Sequence, residues 1–156
     1  MSIKMQRSNY FQVMPILQSS NAGKQIFGQR IAAHLGLTPG PRGKDDGIDG
    51  ILVKDNFVTH FQSKLRSVAL DVDDAKNYYS DIIFHRANVS IILSGVGFKD
   101  TFRLRLFGHE GIENVRIHLL ELADIFENTD EFLNACNDLP GLIYLNQESK
   151  DKFGLN

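Results

Sequence analysis

The fold is decided by residues 43–64, which read GKDDGIDGILVKDNFVTHFQSK. Two short runs at 48–53 and 57–65 are rich in β-branched and aromatic residues, which is typical of β-strands. Between them lies Asp55-Asn56. Because Asp and Asn tolerate a positive φ, this pair predicts a two-residue turn and therefore an antiparallel hairpin.

The predicted hairpin determines which side chains share a face. With a two-residue turn, Asp49 lies opposite Gln62, and directly opposed side chains point to the same face of a sheet. Lys64 follows Gln62 by two residues and therefore points the same way. We expect a carboxylate, an amide and an ammonium group on one face at the open end of the hairpin. A three-residue turn would instead place Asp49 on the opposite face from the other two.

The rest of the chain alternates between helical and strand patterns. Apolar residues at a spacing of four predict a helix over 21–35, and the Gly- and Pro-rich residues 38–47 predict a loop. Residues 98–107 fit a helix or a strand. The other predicted elements are a helix over 71–86, strands over 89–93 and 115–120, a helical stretch over 121–137 that breaks near Asn128-Thr129, and a short strand over 142–145. This order indicates an α/β fold, with a small mixed central sheet flanked by helices.

Length and composition predict one globular domain. The chain has 156 residues, of which 42% are hydrophobic and 23% charged, and this length is near the modal size of a single domain. We assign residues 1–20 to a partly loose N-terminal segment, 21–140 to the folded domain and 141–156 to a C-terminal tail. No apolar run approaches the ~18 residues that span a bilayer, so we expect no membrane association. The single cysteine, Cys136, excludes an internal disulfide framework, and we expect a cytoplasmic location.

Charge is distributed unevenly along the chain, whose net charge is −2. Residues 1–66 contain nine Lys and Arg against four acids, whereas residues 67–156 contain eight against fifteen. A basic first half can attract an anionic polymer such as a nucleic acid. A chance asymmetry explains the same numbers equally well, so charge alone does not decide the partner.

The three side chains at the end of the hairpin point to phosphodiester chemistry. The Asp49 carboxylate and the Gln62 amide oxygen are hard donors of the kind that Mg²⁺ accepts. An ammonium group such as that of Lys64, placed beside a cation, can hold a water molecule or stabilise charge that develops on a phosphate. Since Mg²⁺ favours phosphate oxygens among its remaining ligands, the expected substrate is a phosphodiester.

The sequence Asp-Gly-Ile-Asp-Gly at 46–50, followed by a hairpin and Gln-X-Lys at 62–64, resembles the PD-(D/E)XK nucleases. It is most similar to the Mrr-like restriction endonuclease branch, in which Gln replaces an acid. The resemblance implies a restriction-endonuclease-like three-layer core and the cleavage of DNA with Mg²⁺ or Mn²⁺. It makes Asp49 the main metal ligand, Gln62 a weaker neutral ligand and Lys64 the catalytic lysine. It further implies defence against foreign DNA or the processing of mobile elements.

One feature departs from the family pattern. The family usually carries a Glu on the leading helix, but residues 1–109 contain no Glu. Gln29 occupies the expected supporting place, with Gln25 as the second choice. An amide there lowers the negative charge around the metal, so the residues leave two functions open. One is an active endonuclease that works as a homodimer or as a subunit of a larger defence or transposition complex. The other is a weakened or inactive subunit that binds DNA or protein.

Three basic residues border the predicted site and are candidates for contacts with substrate phosphates: Arg42, Lys44 and Arg66. Ordinary surface charge is an equally good explanation of their presence. A third interpretation of the whole chain also stays open, namely an adaptor domain that is unrelated to nucleic acid and has a similar hairpin by coincidence. DNA binding at low salt separates this interpretation from the other two.

Overall fold

The computed structural model describes residues 7–40 and 48–139. The predicted loop residues 41–47 and the predicted strand at 142–145 lie outside the described residues. The helices and strands are, in chain order, α1 (Arg7–Leu17), α2 (Asn21–His34), β1 (Thr38–Pro39), β2 (Gly50–Lys54), β3 (Phe57–Lys64), α3 (Val72–Phe84), β4 (Val89–Ser94), α4 (Asp100–Phe107), β5 (Arg116–Glu121), α5 (Leu122–Glu127) and α6 (Asp130–Asn137).

The five strands form one mixed sheet in the order β1-β2-β3-β4-β5. The pairs β1/β2 and β2/β3 are antiparallel, whereas β3/β4 and β4/β5 are parallel. β4 is the fully buried strand of this sheet, and all six of its residues are buried. Its sequence VSIILS is accordingly almost continuously apolar, as expected for a strand that is covered on both faces.

Helices cover both faces of the sheet, which makes three layers. On the first face, residues of α1, α2 and α6 pack with Phe61, Ile91 and Leu93. On the second face, residues of α3 and α4 pack around Ile92, with Tyr78 and Phe102 fully buried. The prediction of an α/β fold with a small mixed sheet between helices is confirmed.

Capping residues explain where several helices begin. The side chain of Ser20 accepts a hydrogen bond from the Gly23 N–H at the start of α2. Asp71 caps α3 in a reciprocal arrangement with Asp74, and the backbone N–H groups that it accepts hold the pKa of Asp71 below its usual value. Thr129 caps α6 directly after the left-handed Asn128, so the predicted break between two helical pieces is confirmed.

The structure settles or changes three other expectations. The ambiguous residues 98–107 contain the helix α4, whose Phe102 and Leu106 are buried against α3. The predicted loop begins with the short edge strand β1. The N-terminal segment that we expected to be partly loose contains α1, whose Val13 and Leu17 are buried in the core. The sequence did not predict this helix because its first residues are polar and give no helical pattern of apolar residues.

Asn88 ties three strands together at the end of the sheet where β4 begins. Its N–H donates to the Val58 carbonyl, its side-chain oxygen accepts from the Val58 N–H, and its own carbonyl accepts from the Arg116 N–H. One residue therefore sets the alignment of β3, β4 and β5. Among the described residues, no helix combines the length and the apolar character that crossing a lipid bilayer requires.

Gly50, the first residue of β2, allows α2 to approach the hairpin closely. A Cβ atom at position 50 would lie 2.5 Å from the Cβ of Ala32, and neither atom can move away by rotating a side chain. Gly50→Ala should therefore lower the free energy of unfolding by about 1–3 kcal/mol, as expected for overpacking of a core. Urea denaturation measures this change.

Gly23→Ala is the matched control for this substitution. Its Cβ would lie 3.3 Å from the Cβ of Ser19, which is exposed and able to shift. Alanine also has the higher helix propensity by about 1 kcal/mol, so we expect little loss or a small gain in stability. An equal loss of stability in both variants would contradict the close approach as the cause.

Candidate active site at the end of β3

The hairpin has the predicted turn and the predicted register. Asp55 and Asn56 both have positive φ, 54° and 64°, as a two-residue turn of this kind requires. Gly50 pairs with Phe61, and the pairing continues to the turn without a slip. β2 and β3 therefore pair in the register that we predicted from the sequence.

A bulge at the open end changes where Asp49 points. The N–H of Asp49 donates to the carbonyl of Phe61 at 2.9 Å, and Phe61 is also the residue that pairs with Gly50. Two consecutive residues therefore oppose one, which is the arrangement of a β-bulge. Bulges re-aim a side chain and are common next to active sites.

The Asp49 carboxylate consequently contacts Ser63, the residue between Gln62 and Lys64. Its Oδ2 accepts the Ser63 N–H at 2.6 Å and the Ser63 hydroxyl at 3.2 Å. This contact lies on the α2 side, since a Cβ at Gly28 would lie 2.4 Å from the Ser63 Oγ and 3.7 Å from the Asp49 Cγ. The absence of a side chain at position 28 lets α2 lie against this pair.

Gln62 points to the other face of the sheet. Its Nε2 donates to Oδ2 of Asp81 on α3 at 3.1 Å. Our prediction that Asp49 shares a face with Gln62 is therefore wrong, because the bulge shifts Asp49 out of the regular alternation. Gln62 is only 5% exposed, and its Oε1 is buried and without a hydrogen-bond partner within the described part of the chain.

His60 lies on the same face as Gln62 and belongs to the core. It is completely buried, and its Nδ1 is 2.8 Å from the hydroxyl of Ser90. The same hydroxyl is 2.5 Å from that of Tyr78, and burial raises the pKa of Tyr78 well above its ordinary value. The Tyr78 hydroxyl therefore stays protonated, and this network fills the space between β3 and α3.

A cavity of about 450 Å³ at the carboxyl end of β3 brings the main candidates together. Asp49, Gln62 and Lys64 all border it, although two of them extend their side chains toward opposite faces of the sheet. The other lining residues are Asn21, Ala22, Lys24, Gln25, Ser63 and Leu65. The cavity therefore lies between the beginning of α2 and the end of β3.

The first turn of α2 adds residues that sequence reasoning missed. Lys24 borders the cavity together with Lys64, so two lysine residues lie at its wall. The N-terminus of α2 lies at the same place, and the unpaired N–H groups of a helix N-terminus attract anions. Lys24 lies four positions after Ser20, the residue that caps α2. Its place near the start of a predicted helix is the one feature of the sequence that could have suggested a role for it.

The two candidate glutamines on α2, Gln29 and Gln25, make different contacts. Gln29, the predicted supporting residue, donates from its Nε2 to the Gly40 carbonyl at 2.9 Å, and so it fastens α2 to the chain after β1. Gln25, one turn earlier, borders the cavity. Gln25 is therefore the leading-helix amide that this geometry places at the site.

Of the three predicted substrate-binding residues, the described part of the chain includes one, Arg66. Arg66 lies just beyond β3, and its Nη1 forms an ion pair with Oδ1 of Asp74 at 2.6 Å. About half of the Arg66 side chain remains exposed. Arg42 and Lys44 lie outside the described residues.

The donor atoms at the cavity fit a magnesium-type cation with few protein ligands. Asp49 supplies one carboxylate at the cavity, whereas the Gln62 amide oxygen is buried on the α3 side of the sheet and is not a ligand in this geometry. Within residues 7–40 and 48–139, three or more His, Cys, Asp or Glu side chains nowhere gather as a metal cluster. Mg²⁺ keeps several waters and is commonly bound by one or two carboxylates together with substrate phosphates, which this sparse set allows.

Comparison with known proteins supports the architecture. No protein-family model matches the chain, and no curated protein matches it in sequence. A solved structure that resembles it is the MspJI restriction endonuclease in complex with a 27-mer oligonucleotide, with a TM-score of 0.55 and 13% sequence identity. The fold is restriction-endonuclease-like. The match covers 95% of this chain but 36% of that one, so the chain spans well under half of the length of that protein.

The contact between Asp49 and Ser63 gives a stability prediction. Asp49→Ala leaves the Ser63 N–H without its acceptor, which should lower the free energy of unfolding by about 1–3 kcal/mol. Asp49→Asn keeps a carbonyl oxygen in the same place and should cost less than half of that. Urea denaturation of the two variants, with Ser63→Ala as a control that removes only the longer bond, measures the difference. Equal losses for Asn and Ala would contradict the acceptor role.

Proposed function

We propose that this domain is a metal-dependent endonuclease that hydrolyses DNA phosphodiester bonds. One observation carries the proposal. Asp49, Gln62 and Lys64, in the Asp-hairpin-Gln-X-Lys pattern, border one cavity of a restriction-endonuclease-like fold. The structural neighbour was solved with an oligonucleotide, and this supports a nucleic acid as the partner.

In the proposed mechanism, the Asp49 carboxylate would hold Mg²⁺ or Mn²⁺ together with water molecules and a substrate phosphate. The Gln62 amide, which points to the other face of the sheet, is not a ligand in this geometry. Such a cation supplies Lewis acidity and lowers the pKa of a bound water. Lys64 donates hydrogen bonds to the attacking water and stabilises the negative charge that grows on the phosphoryl oxygens. The contact with Ser63 fixes the orientation of the Asp49 carboxylate before the substrate arrives.

Lys24 and the N-terminus of α2 bind the phosphate backbone in this proposal. Both lie on the cavity wall, where an ammonium group and a helix dipole attract the same charge. Arg66, which follows β3, contributes through its side chain, about half of which stays exposed beside the ion pair with Asp74. One such site cuts one strand, so a double-strand break requires a homodimer or a second nuclease subunit.

The biological setting that we propose is defence against foreign DNA or the processing of mobile elements. It comes from the resemblance of residues 46–64 to the Mrr-like branch, which the fold accommodates. Recognition of a DNA sequence is assigned to a partner chain or to another domain, because the described helices and strands are used to build the three-layer core.

A second candidate function is a catalytically weakened subunit that binds DNA without cutting it. One observation favours it, because Asp49 is the single carboxylate among the described residues that border the cavity, while amides stand at positions 25 and 62. A low negative charge weakens cation binding. The cleavage assay below separates the two functions.

We expect the purified chain to convert supercoiled plasmid to nicked circles in the presence of Mn²⁺, and EDTA to stop the reaction. Asp49→Asn should abolish cleavage, because it removes the charge that holds the cation. Lys64→Ala should lower the rate by about 10²–10³-fold, the typical cost of losing one electrostatic stabiliser. Lys76→Ala, which removes an ammonium group from the exposed surface of α3, is the control and should leave the rate unchanged. Cleavage that survives in Asp49→Asn would refute the assignment, and DNA binding without cleavage would support the second function.

Lys24→Ala should weaken DNA binding without abolishing cleavage at saturating DNA. Removal of one phosphate contact is expected to reduce the slope of log affinity against log salt by about one. Fluorescence anisotropy with a labelled duplex at several salt concentrations measures this slope. Arg30→Ala is the matched control, since Arg30 is an exposed cation farther along the same helix and does not border the cavity. An equal effect of both substitutions would show that only the net charge matters.

A further inference from the structure

Gly28 on α2 leaves the space that the Ser63 hydroxyl occupies. A Cβ atom at position 28 would lie 2.4 Å from the Ser63 Oγ, which is too close for two such atoms. The same hydroxyl donates to Oδ2 of Asp49 at 3.2 Å. Gly28 is buried in the middle of a 14-residue helix, where alanine is the more stable residue. The residue type that suits the helix best is therefore one that the Ser63 hydroxyl excludes.

The direction of the Ser63 hydroxyl depends on this space. A serine side chain has three staggered rotamers, and rotation about its Cα–Cβ bond moves the hydroxyl between them. A Cβ at position 28 would lie 3.4 Å from the Ser63 Cβ and 3.7 Å from the Asp49 Cγ, so the hydroxyl is the group that has to move. An alanine at position 28 would turn this hydroxyl away from Asp49 and leave the Ser63 N–H in place.

Ser63 holds the Asp49 carboxylate with two donors. Its N–H and its hydroxyl both donate to Oδ2. Hydrogen bonds to a carboxylate favour its charged form and lower its pKa. The charged form is also the one that binds a cation. The Ser63 hydroxyl therefore contributes to both the orientation and the charge of Asp49.

We infer that Gly28 is a positioning residue for the Asp49 carboxylate, because it keeps the Ser63 hydroxyl on Oδ2. Gly28 acts through Ser63 and is assigned no contact with substrate or cation. Its effect on the cation rests on the proposed function, in which Asp49 is the metal ligand. Lys24 lies four positions earlier on the same side of α2 and borders the cavity. One helix thus places a phosphate-binding lysine and supports the carboxylate.

The first test measures the pKa of the Asp49 carboxyl in the metal-free protein by NMR during a pH titration. The Asp49 signal is identified by its absence in Asp49→Asn. Gly28→Ala and Ser63→Ala should each raise this pKa, because each takes the hydroxyl away from the charged form. Gly23→Ala, on the same helix and away from Ser63, is the matched control and should leave the pKa unchanged. An unchanged pKa in Gly28→Ala would overturn the inference.

The route through Ser63 is tested by combining the two substitutions. In a Ser63→Ala background there is no hydroxyl to displace, so Gly28→Ala should raise the Asp49 pKa no further. The double variant should also unfold at a higher urea concentration than Ser63→Ala alone, since alanine is the better helix former. A further rise in the pKa, or a lower urea midpoint, would show that Gly28 acts by another route and would overturn the inference. This test stands even if Gly28→Ala alone is unstable.

The consequence for the cation is tested by plasmid nicking at several Mn²⁺ concentrations. Gly28→Ala and Ser63→Ala should need about tenfold more Mn²⁺ for half of the maximal rate, the lower end of what losing such a supporting contact costs. If the native chain does not nick DNA, the proposed function fails, and the pKa measurements alone decide the role of Gly28. If the native chain nicks DNA and Asp49→Asn does not, but Gly28→Ala needs no more Mn²⁺ than the native chain, the inference alone is overturned.

Discussion

The hydrogen bond from the Ser63 N–H to the Asp49 carboxylate is the interaction on which the site depends. In a regular hairpin this N–H would bond to a backbone carbonyl of the opposite strand. The bulge at Asp49 moves the backbone away, and a charged side chain takes the place of the missing acceptor. Charge-assisted hydrogen bonds are stronger than neutral ones, so the Asp49 carboxylate can replace the backbone acceptor at the end of the hairpin. Asp49 also borders the cavity. Gly28 and Gly50 let α2 lie against this arrangement.

The charge balance of the cavity affects how a site with one carboxylate can bind a metal ion and a phosphate. Lys24 and Lys64 contribute two positive charges to the wall, and Asp49 contributes one negative charge. A cation added to this wall without substrate meets little attraction, whereas a bound phosphate brings the missing negative charge. Metal and substrate should therefore help each other to bind. The amides at positions 25 and 62 keep the wall polar without adding charge.

Sequence patterns predicted most of the fold because its elements are locally encoded. The turn at Asp55-Asn56 and the start of a helix at residue 71 each depend on residues adjacent in the chain, and both were predicted. The site was harder because it depends on pairs that are distant in sequence. The bulge that re-aims Asp49 leaves no pattern in a single strand, and the contact of Gln62 with Asp81 joins residues 19 positions apart. The role of Gln29 at Gly40 follows the same rule, since it depends on where the chain after β1 comes to lie.

The three hydrogen bonds of Asn88 join β3, β4 and β5 at one end of the sheet. At that end, β3, β4 and β5 are joined through one residue, and their relative alignment is set there. The opposite end, where Lys64, Ser94 and Glu121 stand in one row across the parallel strands, inherits that alignment. The chain also packs closely at that row, because a Cβ at Gly95 would lie 2.3 Å from the Arg66 carbonyl oxygen and Glu121 is itself the N-cap of α5. The strand that carries Gln62 and Lys64 is therefore held in place at both of its ends.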